Sequence, residues 1–426
     1  MLTWPSPEVQ RPTTAGRGVR TTSNRPKAAG EQDPPLLHRR TRQRLARGRP
    51  PHAAPTTRPL VVVALLAFVL GATPADAQTR QGLSENIIRS TSIGSSQAAE
   101  ISAYAGLHAE DLLNAGDDPA GFSTAARAIE QLLEPLENPG VTVAFRQRYA
   151  EALDEALDRL LESGSAWRRL TALRLSGRLA TERTLQRVRG VMRSEQAPDA
   201  DRLYAITAAE LVFQASQQSA PAVSESSLRR LIESLGRGVV EGDDPWRVDA
   251  RIRALIAAAG VPADRLGGLS DEARRTLARS AAERLRSADP ERREDDAEAR
   301  AILRAALYFR NQLAPVGSAS EDVARAAAGL SGDMAAYLLA RSEAGVLQSG
   351  DPQAFDAQFA NIAEILADLS DRRLGEAIGS APSLPRVNLR APLAGGDMTQ
   401  FEANALRLTQ ALTQRPFNFD ASRFDR

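Results

Sequence analysis

After Ser96 the chain repeats one arrangement. Apolar residues recur every three or four positions in runs rich in Ala, Leu, Arg and Glu, and each run stops at a short break of Pro, Gly, Ser or Asp. That period puts the apolar side chains on one face of a helix. It predicts helices over 97–115 and 119–134, separated by Gly116-Asp117-Asp118-Pro119. A turn at Asn138-Pro139-Gly140 leads into a helix whose Val141, Phe145, Tyr149, Leu153, Leu157 and Leu161 form a stripe at spacing four. Ser163-Gly164-Ser165 ends it, and helices over 166–180 and 181–195 follow. Pro198-Asp199 opens the next one, which runs through Phe213, because proline fits a first turn and aspartate can cap it. Further helices are expected near 225–237, 244–259, 270–288, 292–313, 320–344 and 352–369. In the last of these Phe355, Phe359, Ile362, Leu366 and Leu369 alternate by four and three. The alternating Val/Ile/Thr/aromatic runs that mark strands are missing.

Residues 78–96 read as a flexible start and 97–378 as a helical-repeat domain. Proline and glycine in 379–396 predict a linker, followed by a helix over 397–414. From Arg415 the tail carries Phe417, Phe419 and Phe424 between polar residues, a pattern that predicts folding back onto the body. Breaks this short make neighbouring helices antiparallel. Trp167-Arg168 and Trp246-Arg247 each open an Arg/Leu/Ala-rich helix, and they lie 79 residues apart. That is two units of roughly 40 residues. Over 141–216 the paired helices carry Leu and Ala at packed positions and Arg and Asp near the turns, and here the chain resembles HEAT-type α-solenoids. The resemblance is compositional. It implies an all-α fold: a right-handed helical-repeat α-solenoid of antiparallel helix pairs that recognises partners along a curved surface.

Upstream, Leu60 to Leu70 is an uncharged apolar run, preceded by Arg58 and followed by Ala75-Asp76-Ala77. The pattern reads as a secretory signal over 60–77, cleaved between Ala77 and Gln78. Its apolar core is about half the roughly 20 residues a membrane-spanning helix needs. No integral membrane segment is then expected after removal of the signal. Residues 1–59, rich in Arg, Pro and Thr, read as a disordered basic leader or as lying upstream of the true start. The expected address is exported, periplasmic or extracellular, in a bacterium.

Charge changes meaning at that cleavage point. The whole chain has 54 basic and 53 acidic residues, but 12 of the basic and only 4 of the acidic ones precede Gln78. The remaining 349 residues carry a net charge of −7. The basic balance belongs to the leader, so nucleic acid is not an expected partner. Lys27 is the sole lysine, which leaves Arg as the only strong cation beyond Gln78. An Arg spread over every segment matches a codon bias better than a phosphate clamp.

The residue inventory closes off most chemistry. With no Cys there is no disulfide, thiolate nucleophile or Cys-bound metal. His108 is the one histidine past Gln78, so no multi-His metal site or His-paired hydrolase is expected, and it reads as a packed or surface residue of the first helix. Asp243-Asp244 and Asp295-Asp296 lack a calcium-loop pattern and read as helix-start carboxylates. Arg274, Arg275, Arg284, Arg292 and Arg293 interleave with acids and read as a solvated, salt-bridged face. No catalytic, cofactor or metal residues are nominated, and no cofactor is expected. What remains is a non-enzymatic binding or scaffolding module of the cell envelope with protein partners. Trp167, Arg168, Trp246 and Arg247 are its candidate contact residues, because Trp and Arg dominate hot spots. Two alternatives stay open. One is a glycoside-type hydrolase running on a carboxylate pair, a chemistry usually walled with Trp and Tyr. The other is a structural envelope protein that self-associates through the Phe-bearing tail.

Overall fold

The computed structural model describes residues 82–425 except 243, 292–296 and 318. All the described residues belong to one packing unit. The leader, the apolar run and the Ala75, Ala77 and Gln78 cleavage residues lie outside the described residues.

The described chain is all-α, with sixteen α-helices and no strand among the described residues. The first five are α1 (Glu85–Ile88), α2 (Ser95–Asn114), α3 (Pro119–Glu137), α4 (Val143–Leu161) and α5 (Ala166–Leu179). Next come α6 (Glu182–Arg193), α7 (Asp199–Gln218), α8 (Glu225–Glu241), α9 (Pro245–Ala259) and the short α10 (Ala263–Leu266). The C-terminal part holds α11 (Leu269–Ser287), α12 (Ala297–Leu313), α13 (Glu321–Glu343), α14 (Phe355–Ile378), α15 (Arg390–Gly395) and α16 (Met398–Leu412). Helix starts follow the expected capping chemistry. Asp118, Thr142, Ser224 and Asp244 each accept a backbone N–H of the first turn, which satisfies donors a helix start leaves free.

The helices pack on their sequence neighbours and on the next but one. One series of contacts runs α3–α5–α7–α9–α12–α14, and a second runs α8–α11–α13–α16. Cross-contacts α5–α6–α7, α8–α9–α11 and α13–α14 join the two. The core divides at α5. Ala172, Leu175 and Leu179 belong to a cluster with α1–α4, whereas Leu173 belongs to the larger cluster that continues to Phe424.

Arginines stitch the series together. Arg169 on α5 meets Asp201 on α7 at 2.6 Å, and Arg247 on α9 reaches back to Asp199 at 3.1 Å. Arg304 on α12 meets Asp249 on α9 at 3.0 Å, and Arg187 on α6 meets Asp158 on α4 at 2.6 Å. The salt-bridged reading of the Arg-rich helix holds where it is described: Arg274, Arg275, Arg284 and Arg286 all pair with carboxylates.

Four segments depart from their sequence reading. The described part of the flexible start is docked: Ile87 and Ile88 are buried, and Thr142 donates to the Ser90 carbonyl at 2.5 Å. The 379–396 linker is likewise held down by α14. Asp371 accepts the Leu384 N–H at 2.8 Å, Glu364 accepts that of Leu389 at 3.0 Å, and Leu389 and Leu393 are fully buried. Polar carboxylates spaced along a helix do this work, and an apolar period does not register them. Finally, α3 continues through Pro135 and α14 continues nine residues past the expected end at 369.

Candidate functional site

The two tryptophans have different surroundings. Trp167, on the first turn of α5, is partly buried: its indole donates to Asp117 at 2.8 Å and its ring meets Phe122 edge-on at 5.9 Å. Arg168 stacks on it at 5.2 Å and donates to the Ala115 carbonyl at 2.6 Å. That pair fastens α5 to the α2–α3 turn. Trp246, on the first turn of α9, is 70% exposed, while its neighbour Arg247 is spent on Asp244 and Asp199. Helix α7 packs between α5 and α9, so the two pairs do not form one site.

His108 is buried against Tyr104, ring to ring at 4.7 Å. Burial holds its pKa below the usual value, against the pull of Asp111 and Glu134. A neutral, packed imidazole fits that environment. Among the described residues no cluster of metal-ligating side chains occurs, and no helix is long and apolar enough to cross a membrane.

An open cavity of about 670 Å³ lies where α8, α11, α13 and the C-terminal tail meet. Helical spacing supplies its walls. Glu272, Arg275, Arg279 and Arg286 fall on one face of α11, Arg229 comes from α8, and Arg325 from α13. The tail closes the end with Phe419 and Arg423. Six guanidinium groups thus face three lining carboxylates, Glu233, Glu272 and Asp322. Several arginines are committed: Arg229 pairs with Glu272, Arg275 with Asp322 at 2.8 Å, and Arg325 with Glu321 at 2.7 Å. Arg279 is exposed and has no carboxylate partner among the described residues. A smaller cavity of about 280 Å³ shares Glu233, Thr276 and Arg279 and extends the groove toward Arg237 and Glu283.

The tail end of the groove is built around a buried acid. Asp333 on α13 is 0% exposed and accepts from Arg423 at 2.6 Å and from Arg286 at 3.2 Å. Burial raises its pKa, and the two guanidinium groups oppose that shift. The tail reaches Asp333 over two glycines. A Cβ on Gly329 would stand 2.6 Å from the Arg423 guanidinium, and one on Gly332 would stand 2.5 Å from the Phe424 ring. Arg423 in turn stacks on Phe419 at 4.5 Å, and Phe417 and Phe424 are buried. The expected fold-back of the tail is therefore present. Its anchor residue was not foreseen, because Arg423 and Asp333 are 90 positions apart.

No family model matches the chain, and no curated protein matches it. Among solved structures the chain is similar to the crystal structure of an engineered protein, at 15% identity over 83% of this chain and 96% of that one. The TM-score of that match is 0.28, a likeness too slight to carry an argument about arrangement or function.

Proposed function

We propose that this chain is an exported, non-enzymatic helical-repeat protein that acts as a binding or scaffolding module of the cell envelope. In this reading its groove between α8, α11, α13 and the tail holds an acidic segment of a partner protein. The observation that carries it is Arg279, exposed on the groove wall with no carboxylate partner among the described residues, in a wall lined by five further guanidinium groups. Arginine offers a planar fork of donors matched to carboxylate geometry, and a shared groove strengthens each contact relative to open water. The packing of each helix on the next and the next but one supports a right-handed, HEAT-type α-solenoid of antiparallel pairs. Phe419 is the one aromatic lining the groove, which favours polar recognition over the Trp- and Tyr-walled site of a sugar hydrolase. Trp246, exposed on α9, is a second contact point for a partner.

A fluorescent poly-glutamate peptide titrated into the purified protein tests the groove reading. It is expected to bind, with affinity falling about tenfold or more between low and high salt as exposed charges are screened. A poly-lysine control should not bind. Equal binding of both peptides, or of neither, would overturn the reading. Export rests on the apolar run at Leu60–Leu70 and Ala75-Asp76-Ala77. Intact-mass spectrometry of the form recovered outside the cytoplasm should show Gln78 as the first residue, and a mass that retains residues 60–77 would sink that part of the proposal.

A further inference from the structure

Arg146 stands on the first turn of α4, far from the groove, and is 1% exposed. It heads the largest fully buried side chains of the protein. Its Nε and Nη1 atoms are buried without a hydrogen-bond partner, and the guanidinium makes no ion pair among the described residues. Two other deeply buried arginines have a partner for their charge or acceptors for their donors. Arg341 faces Asp356 at 3.2 Å, and Arg373 donates to the Leu313 and Ala314 carbonyls at 2.7 and 2.8 Å.

The surroundings of Arg146 make its charge more costly. Burial, followed by the proximity of Arg178 on α5, pushes its pKa down to about 10, which still leaves it protonated at neutral pH. No acid acts on it in the opposite direction. The start of α4 adds the positive end of a helix dipole. A buried guanidinium cannot shed its proton here, and water would satisfy its N–H donors without balancing its charge. An anion does both. Buried, fork-shaped donors with almost no opening to solvent favour a compact oxyanion over a polymer segment.

We infer that Arg146, with Arg178 beside it where α4 packs on α5, forms a binding site for a small oxyanion such as phosphate or sulfate. The site stabilises the N-terminal core in proportion to its occupancy, because a ligand that binds only the folded state raises its stability.

Thermal unfolding of the full-length protein in inorganic phosphate, with chloride used to hold ionic strength constant, tests this. The wild type should show a saturable rise in Tm of about 3 °C or more when phosphate exceeds Kd a hundredfold. Arg146→Met should abolish the saturable rise, and its Tm in chloride should equal or exceed that of the wild type, because a buried charge has been replaced by an apolar chain. Arg178→Gln keeps Arg146 in place and should weaken the apparent phosphate affinity about tenfold, the loss of one charge-assisted contact. If Arg146→Met fails to fold, broadening of the phosphate ³¹P signal decides the matter: it should saturate with wild type and require about tenfold more phosphate with Arg178→Gln. An acetate series assigns the ligand: saturation by phosphate alone marks a tetrahedral oxyanion, and saturation by both marks oxyanions generally. A phosphate response of the same size in wild type and both variants, or no saturable response in the wild type, would overturn the site.

Discussion

Replacing Gly332 by Leu should detach the C-terminal tail and lower stability by about 2–4 kcal/mol, read as a shift of the urea midpoint. The position has no room. The first added carbon would already stand 2.5 Å from Phe424 and 2.6 Å from Leu412, and α13 and α16 pack too closely to yield. Once Phe424 leaves, Arg423 is drawn off Asp333, a carboxylate that is 0% exposed and then has Arg286 as its remaining cation. The loss combines the burial of one or two phenylalanine rings, about 1.5–3 kcal/mol each when complete, with a half-compensated buried charge. Limited proteolysis should cleave the tail of Gly332→Leu while sparing that of the wild type. Unchanged urea midpoint and unchanged protection would show that the tail contributes nothing to the fold.

The second large effect lies in the Arg341–Asp356 pair, which is 3% and 1% exposed. Asp356 also accepts the Gln348 N–H at 2.9 Å, and Arg341 lies over the Tyr337 ring at 5.7 Å. Arg341→Met alone should cost about 3–5 kcal/mol, because it leaves a carboxylate buried without its cation. The double variant Arg341→Met with Asp356→Leu should recover most of that loss, since apolar residues of similar volume replace a buried pair at little cost. A double-mutant cycle by chemical denaturation measures the coupling directly. Strictly additive single effects would mean that the two charges do not depend on each other.

Much of the helical framework was legible in the sequence because it is local. The stripe from Val141 to Leu161 and the Phe355–Leu369 alternation both lie on faces that the structure buries, with Phe145, Tyr149, Phe359 and Leu366 at 0% exposure. Caps such as Asp118 and Thr142 also depend only on nearby residues. Other features depend on partners distant in the chain. Asp371 and Glu364 look like solvent-facing acids of α14, yet they hold the 384–389 segment against it. Trp167 and Trp246 share a local context, but one is tied to Asp117 and the other is 70% exposed.

The groove was half legible. Interleaved arginines and acids on α11 announce a charged face, and most of them form the pairs that such interleaving suggests. What the pattern could not supply is the convergence of α8, α13 and the tail on that face. Gly329, Gly332 and Asp333 interrupt an Ala- and Leu-rich helix, and in retrospect they are the signal for a close approach by another segment. That signal names no partner, so Arg423 stayed hidden.

Arg279 offers the cleanest probe of the groove, because it is exposed on α11 and its removal breaks no ion pair among the described residues. Poly-glutamate binding to Arg279→Glu should be weaker than to the wild type by about tenfold, or ~1.4 kcal/mol, with an unchanged thermal midpoint. Undiminished affinity in a folded Arg279→Glu protein would contradict the assignment of this groove as the binding surface.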